Sequence, residues 1–368
     1  MKVLTIFGTR PEAIKMAPLV KKLNQDEAID SVLCVTAQHR QMLDQVLDLF
    51  ELKPDYDLDI MKANQTISQI TTNVLLKLEE VIQKENPDII LVHGDTTTTF
   101  AAALAAFYHQ KRIGHVEAGL RTYDPYSPYP EEMNRVMTGH LSAIHFAPTE
   151  RNRDNLLKEA ISPEKIFVTG NTVIDALKWV VNKPYDFEDN TLKGIDFDGK
   201  RVIAVTCHRR ENLGENMENI FSAIRDIASS FEDVEIVYPM HMNPKVRETA
   251  DKILKGAERI HLIEPLTYQP FANLMAKSYM VITDSGGMQE EAPALGKPVL
   301  VVRKETERPE AIEAGTAKLA GTDRETIYQM AETLLADKKE YDKMAKAVNP
   351  YGDGLASERI VDIIKNMK

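Results

Sequence analysis

The chain has 368 residues, with 43% hydrophobic and 27% charged residues, enough for two domains and a sizeable core. A net charge of -11 argues against nucleic acid or an anionic membrane as the main partner, while leaving room for a local basic pocket for phosphate. No run approaches the roughly 20 apolar residues that span a bilayer. No signal peptide is visible at the start. The two cysteines, Cys34 and Cys207, fit a reducing cytoplasm better than disulfide or structural zinc use.

The first apolar run, 2–7, reads as a strand and ends in Gly8-Thr9-Arg10-Pro11-Glu12 before a helical pattern over 11–23. Pro11 suits the first helical position. Helical side chains lean toward the N-terminus, so Lys15 reaches back to the turn. Arg10 and Lys15 read either as a clamp for an anion or as a solvated pair. A strand over 31–36 and a helix over 42–50 follow. The strand 88–92 ends in His93-Gly94-Asp95, with four threonines, Thr96 to Thr99, opening the helix 98–108. Asp95 is a candidate for chemistry or a plain N-cap. The strand 113–116 delivers Glu117 directly from an apolar run, which is less ordinary. The stiff loop Asp124-Pro125-Tyr126-Ser127-Pro128-Tyr129-Pro130 brings Glu131 and Glu132 to a helix start at 131–140, for chemistry or to complement the dipole. Strands at 143–146 and 166–168 flank a helix over 151–158.

The polar segment 183–200 breaks the periodicity and reads as a loop. A second series follows, with strands at 202–206, 235–238, 260–263, 280–283 and 299–302 and helices including 216–230 and 271–276. Its strand ends carry Cys207-His208-Arg209-Arg210, His241, and, in a charged loop, Arg308. His208 is a candidate acid or phosphate contact. Cys207 is expected to be a small buried residue rather than a nucleophile. The stretch from Val281 to Glu291 is a strand, a turn of small residues and a helix start that runs to Leu295 and stops at Gly296 and Pro298. Free N–H groups at such a helix start suit an anion. Gly286 and Gly287 admit a phosphate to the backbone. Glu290 and Glu291, one turn in, are placed to accept hydrogen bonds from sugar hydroxyls.

Alternating strands and helices imply two consecutive parallel α/β domains. Neither G-x-G-x-x-G nor G-x-x-x-x-G-K-[ST] occurs, which disfavours NAD enzymes and P-loop phosphotransferases. Ligands of open parallel sheets sit beyond the carboxyl ends of the strands, so the expected site is a cleft between the two sheets.

Taken together, Gly8-Thr9-Arg10-Pro11-Glu12, His93-Gly94-Asp95-Thr96, His115-Val116-Glu117-Ala118-Gly119-Leu120-Arg121, Pro130-Glu131-Glu132-Met133-Asn134-Arg135, Cys207-His208-Arg209-Arg210-Glu211-Asn212, Asp284-Ser285-Gly286-Gly287, Thr306-Glu307-Arg308-Pro309-Glu310 and Asn349-Pro350-Tyr351-Gly352-Asp353-Gly354 resemble the non-hydrolysing UDP-N-acetylglucosamine 2-epimerases. Hydrolysing relatives tend to carry a small and an acidic residue after Gly-Thr-Arg, where this chain has Pro11-Glu12. The resemblance implies a GT-B-like α/β fold of two Rossmann-like domains, 1–172 and 173–353, with a deep interdomain cleft and 354–368 packing back on the first. It implies reversible conversion of UDP-GlcNAc to UDP-ManNAc through UDP elimination to 2-acetamidoglucal, with no cofactor and no metal. The catalytic set is then Asp95, Glu117, Glu131 and His208. Arg10 and Lys15 sit near phosphate or sugar, Ser285, Gly286 and Gly287 hold the diphosphate, Glu291 the ribose, Phe271 the uracil and Arg308 the sugar. The resemblance also implies a cytoplasmic homodimer serving cell-surface polysaccharide synthesis. Activation by a second UDP-GlcNAc is expected at Gln38, Gln41, Arg209 and His241, with Asn64 where the pattern has an Arg. A hydrolysing epimerase releasing ManNAc, a GT-B glycosyltransferase and a UDP-sugar sensor are the alternatives.

Overall fold

A computed structural model describes residues 1–37, 40–62 and 64–367. The chain forms two compact units, Met1–Ala176 with Tyr351–Lys368, and Leu177–Pro350. The first holds a seven-stranded parallel sheet of β1 (Lys2–Phe7), β2 (Asp30–Val35), β3 (Tyr56–Asp57), β4 (Ile89–His93), β5 (Arg112–Val116), β6 (Ile144–Ala147) and β7 (Ile166–Val168), in the order β3-β2-β1-β4-β5-β6-β7. Helices cover both faces, which is why the strands are apolar almost throughout. Leu4, Ile6, Ile90 and Val92 pack on one face against Val74 and Leu78 of helix Ile67–Glu85 and against Ala101, Ala102 and Ala105 of helix Thr97–Tyr108. The alanines let that helix lie close to the sheet.

The second unit holds six parallel strands, β8 (Arg201–Thr206), β9 (Val234–Pro239), β10 (Ile260–Ile263), β11 (Met280–Thr283), β12 (Val299–Val301) and β13 (Ala317–Leu319), in the order β10-β9-β8-β11-β12-β13. Ile203, Val205, Ile236 and Ile282 meet Ile220, Phe221 and Ile224 of helix Glu215–Ser230 in its core. In both sheets the strand order reverses beside the first strand, at β1/β4 and at β8/β11. The carboxyl ends of those strands border the crevice where doubly wound sheets take ligands.

The short strands β3 and β13 are absent from the sequence reading: two residues are too few to carry an alternation, and Lys318 interrupts the apolar run of β13. The segment 183–200 is not all loop: Asp189 caps a one-turn helix, Asn190–Lys193, by accepting from Leu192 N at 3.0 Å, and Phe187 stacks on Phe197 with ring centroids 5.4 Å apart.

The division between the units falls within helix Thr172–Val181. Asp175 in its first turn accepts from Ala356 N at 3.2 Å and Ser357 N at 2.8 Å, capping the last helix, Ala356–Lys365. That helix returns to the first unit and lies along helix Arg10–Gln25, tied by Lys365–Asp26 at 2.7 Å. Among the described residues no helix is long and apolar enough to cross a membrane.

Candidate active site

In the first unit, β1 runs into a turn at Gly8, where a Cβ would meet Thr36 Oγ1 at 2.1 Å and Thr98 Oγ1 at 2.8 Å. Only glycine fits so close an approach. Arg10 starts the following helix, half-buried and without a hydrogen-bond or ion-pair partner among the described residues. Lys15, one turn on, reaches Glu117 Oε2 at 2.5 Å. Its charge therefore serves a carboxylate, where the sequence offered it to an anionic ligand.

Glu117 follows β5 with φ +60, a left-handed conformation that costs a non-glycine residue about 1–3 kcal/mol and recurs at functional sites. His93 ends β4, buried, with Nε2 3.4 Å from the same Glu117 oxygen. Burial alone pushes the Glu117 carboxyl up, but the charges of Lys15 and His93 and their hydrogen bonds outweigh it and hold it well below the usual range.

Asp95 sits two residues beyond β4. The N-cap of the next helix is Thr96, which accepts from Thr99 N at 3.1 Å, so Asp95 is released from capping. Its turn is pinned: Gly94 N donates to Val116 O at 2.9 Å, His115 Nε2 holds Gly94 O at 2.7 Å, and Asn134 Nδ2 donates to Asp95 O at 3.0 Å. Burial pushes the Asp95 carboxyl above its usual range, against Arg135 and with the negative charge of Glu117. Arg135 lies 3.7 Å from Asp95 Oδ2 and 2.9 Å from Glu132 Oε2. Glu132 is buried and accepts from Thr122 N at 3.1 Å and Tyr123 N at 2.9 Å, so it holds the loop. Glu131, beside it, is half-buried at the helix start, with no hydrogen bond or ion pair among the described residues.

In the second unit, Asp284 ends β11 fully buried. Its Oδ2 accepts from His208 N and Arg209 N, both at 2.8 Å, and from Asn212 Nδ2 at 3.0 Å. Its Oδ1 lies 3.5 Å from His208 Nδ1. The His208 ring stacks on His241, centroids 5.0 Å apart and 11° from parallel. Burial, with His241 and Arg209, pulls His208 below the ordinary histidine value against the charge of Asp284. Cys207 is buried and its thiol is pushed well above the ordinary value by burial and by Asp284, which excludes a thiolate nucleophile.

Ser285 leads into helix Gly286–Ala294, which ends before Gly296 at φ +67. A cavity of about 230 Å³ lies beside this helix start, lined by His208, Tyr238, His241, Leu266, Phe271, Ser285 and Met288 among others. Glu291 folds toward Gly287, its Oε1 3.4 Å from where a Cβ would stand, and neighbours the buried Tyr268 hydroxyl, which burial and Glu291 raise well above its ordinary value. Glu290, read from sequence as a sugar contact, is instead bonded to Arg308. Arg308 is thereby held over Gly286, 3.9 Å from its Cβ position.

Gln38 and the side chain of Gln41 lie outside the described residues. Sequence reasoning gave no role to Glu12, His93, Arg135 or Asp284, though Glu12, His93 and Asp284 each stand at a strand end or first helical turn. Among the described residues no cluster of three or more His, Cys, Asp or Glu is arranged to hold a metal ion.

A family model described as UDP-N-acetylglucosamine 2-epimerase matches residues 21–365. The UDP-N-acetylglucosamine 2-epimerase of Bacillus subtilis is 61% identical over 362 residues, covering 98% of this chain and 94% of the relative. The crystal structure of UDP-GlcNAc 2-epimerase from Neisseria meningitidis bound to UDP-GlcNAc is similar with TM-score 0.86 and 52% identity, covering 100% of both chains. The S. aureus MnaA–UDP structure is similar with TM-score 0.86 and 54% identity, covering 99% of this chain and 96% of that one. The two doubly wound parallel sheets, with these neighbours, make the fold GT-B-like α/β.

Proposed function

The chain belongs to the UDP-N-acetylglucosamine 2-epimerase family, a family of isomerases, and on that premise we propose that it interconverts UDP-GlcNAc and UDP-ManNAc without net hydrolysis. The C2 proton is not acidified by a carbonyl, so direct abstraction is hard. Expelling UDP first places positive charge at C1, which makes the C2–H labile and gives 2-acetamidoglucal. Re-addition of UDP with protonation of C2 on the other face completes the inversion.

The observation that carries this reading is the opposite displacement of two neighbouring carboxyls. Asp95 is pushed up and Glu117 held down around one cluster of Lys15, His93 and Arg135. Such a split assigns an acid and a base at one pH. Glu117, the carboxyl held down, takes the C2 proton on one face; Asp95, the carboxyl pushed up and so the readier to carry a proton, returns one on the other. Exchange with water resets the pair. Glu131 adds negative charge for the oxocarbenium character at C1. His208, neutral, assists the departing phosphate. The helix start at Ser285, Gly286 and Gly287 receives the diphosphate, Phe271 packs by the uracil, Glu291 takes the ribose hydroxyls, and Arg10 and Arg308 contact phosphate or sugar.

We further propose a cytoplasmic homodimer supplying UDP-ManNAc to cell-surface polysaccharide synthesis. A second UDP-GlcNAc near Gln38, Gln41, Arg209 and His241 activates it. The stacking of His241 on His208 supports that coupling, and Asn64 in place of the pattern's Arg makes it weaker than in relatives. Sigmoidal rates against UDP-GlcNAc are expected; hyperbolic kinetics in both directions remove the activation.

Incubation with UDP-GlcNAc in D₂O tests the reaction. UDP-ManNAc with deuterium at C2, formed without added NAD or metal, is the expected product. Free ManNAc as the main sugar points to hydrolysis, transfer to an added acceptor to a glycosyltransferase, and binding without turnover to a sensor.

A further inference from the structure

Glu12 is assigned no part in the chemistry above, yet it is the most thoroughly bonded carboxylate near it. It is 2% exposed. One oxygen, Oε2, accepts from Gly8 N at 3.1 Å and Thr9 N at 2.7 Å. That half is ordinary helix capping, with a third-position carboxylate closing back on the turn. The other half is not. Oε1 points away from its own helix and accepts from the hydroxyls of Thr96 at 2.7 Å and Thr99 at 3.0 Å, at the start of the helix that follows β4. The single Thr99 hydroxyl proton is shared between this carboxylate oxygen and His93 O. The carboxylate thus spans the reversal point of the sheet, from the β1 turn carrying Arg10 to the β4 turn carrying Asp95. The turn after β2 also touches the helix that follows β4, Thr36 Oγ1 lying 3.2 Å from Thr98 Oγ1.

We propose that Glu12 is a positioning residue, a buried clamp that fixes Arg10 and Asp95 relative to each other. This rests on the function proposed above only in that Asp95 and Arg10 act on the substrate. Length matters more than charge. A Gln turns its oxygen to the two N–H groups and its amide to the hydroxyls, which accept as well as donate. An Asp is one methylene short and spans only one side. Misplacement of a reacting group by about 1 Å costs on the order of 10²-fold in rate.

The test compares Glu12→Ala, Glu12→Asp and Glu12→Gln by kcat per UDP-binding site, counted by UDP titration, with released glycal measured beside product. A control removes a capping box of the same type outside the β1 and β4 turns. In helix Ile67–Glu85, Thr66 accepts from Gln69 N at 3.2 Å and Gln69 Oε1 accepts from Thr66 N at 2.9 Å. Gln69→Ala loses comparable capping and should keep wild-type kcat. Glu12→Ala and Glu12→Asp should lose about 10–100-fold in kcat with UDP affinity unchanged and a larger share of free glycal, and Glu12→Gln should recover most of the loss. If Glu12→Ala behaves like Gln69→Ala, or if Glu12→Asp matches Glu12→Gln, the clamp is only a cap and the proposal fails. Wild-type enzyme in D₂O is read first, so failure of the proposed reaction is seen separately. Whatever sugar the wild type makes, its own kcat is the reference for the variants.

Discussion

His115 and His145 stand opposite each other on β5 and β6, both fully buried. Each holds a backbone carbonyl through Nε2, Gly94 O at 2.7 Å and Gly139 O at 2.9 Å, which requires the proton on that nitrogen. Burial pulls His115 down from 6.5 to about 3, and His145 in the same direction. The unfolded His115 imidazole takes up a proton near 6.5 while the folded one does not, so the unfolded state binds more protons below that pH. Stability of the first unit should therefore fall as pH drops from about 6.5 to 5, by up to about 1.4 kcal/mol per unit from this ring, with His145 acting in the same direction. Urea unfolding across that window should show the slope, and His115→Gln should flatten it. Separately, Asp95→Asn, Glu117→Gln and Glu131→Gln should each cut turnover by about 10²–10⁴-fold while UDP titration stays at wild-type affinity. Near wild-type turnover in all three would overturn the catalytic set. At this scale the sequence exposes residues that end an apolar run, such as Glu117 and His208. It hides Asp284 and Glu12, because their partners are mainly backbone N–H groups and ordinary threonines, which leave no pattern to read.

The helix Gly286–Ala294 is the element most fully legible beforehand. A β-branched strand, two small residues and a stop at Gly296 are local signals, and the folded segment follows them. Gly286 has ordinary helical space: a Cβ there comes no closer than 3.9 Å to the Arg308 guanidinium. Gly286→Ala should therefore hold or slightly raise the unfolding midpoint, since alanine in a helix gains roughly 0.5–1 kcal/mol over glycine. UDP binding should weaken about tenfold, or ~1.4 kcal/mol, because the added methyl stands where the diphosphate is proposed to approach the N–H groups. Calorimetric titration beside thermal melts separates the two effects; an unchanged UDP affinity would move the diphosphate elsewhere. Edge strands and the Arg308–Glu290 pairing were not legible, for they depend on neighbours distant in sequence.

Across the whole molecule, the first unit is made of two pieces of chain with the second unit inserted between them. The amphipathic stripe of Ile360, Val361 and Ile364 says that the last helix is buried on one side, but nothing local to it says against what. Its seat is marked instead by Asp175, whose capping bonds reach 181 and 182 residues along the chain. Asp175→Ala should lower the stability of the first unit by about 0.5–2 kcal/mol with UDP affinity unaltered, read by urea unfolding followed through each unit's own probes.

The outgoing and returning segments are bonded to each other, Asn171 N donating to Tyr351 O at 2.7 Å. That seam has a consequence for how the molecule comes into being. Translation delivers all of β1 to β7 before the second unit, yet the helix that closes over helix Arg10–Gln25 is made after it. A nascent chain stalled at Pro350 carries every residue of the second unit and an unfinished first one. The half begun first thus waits for the whole second unit before its own last helix can cover helix Arg10–Gln25.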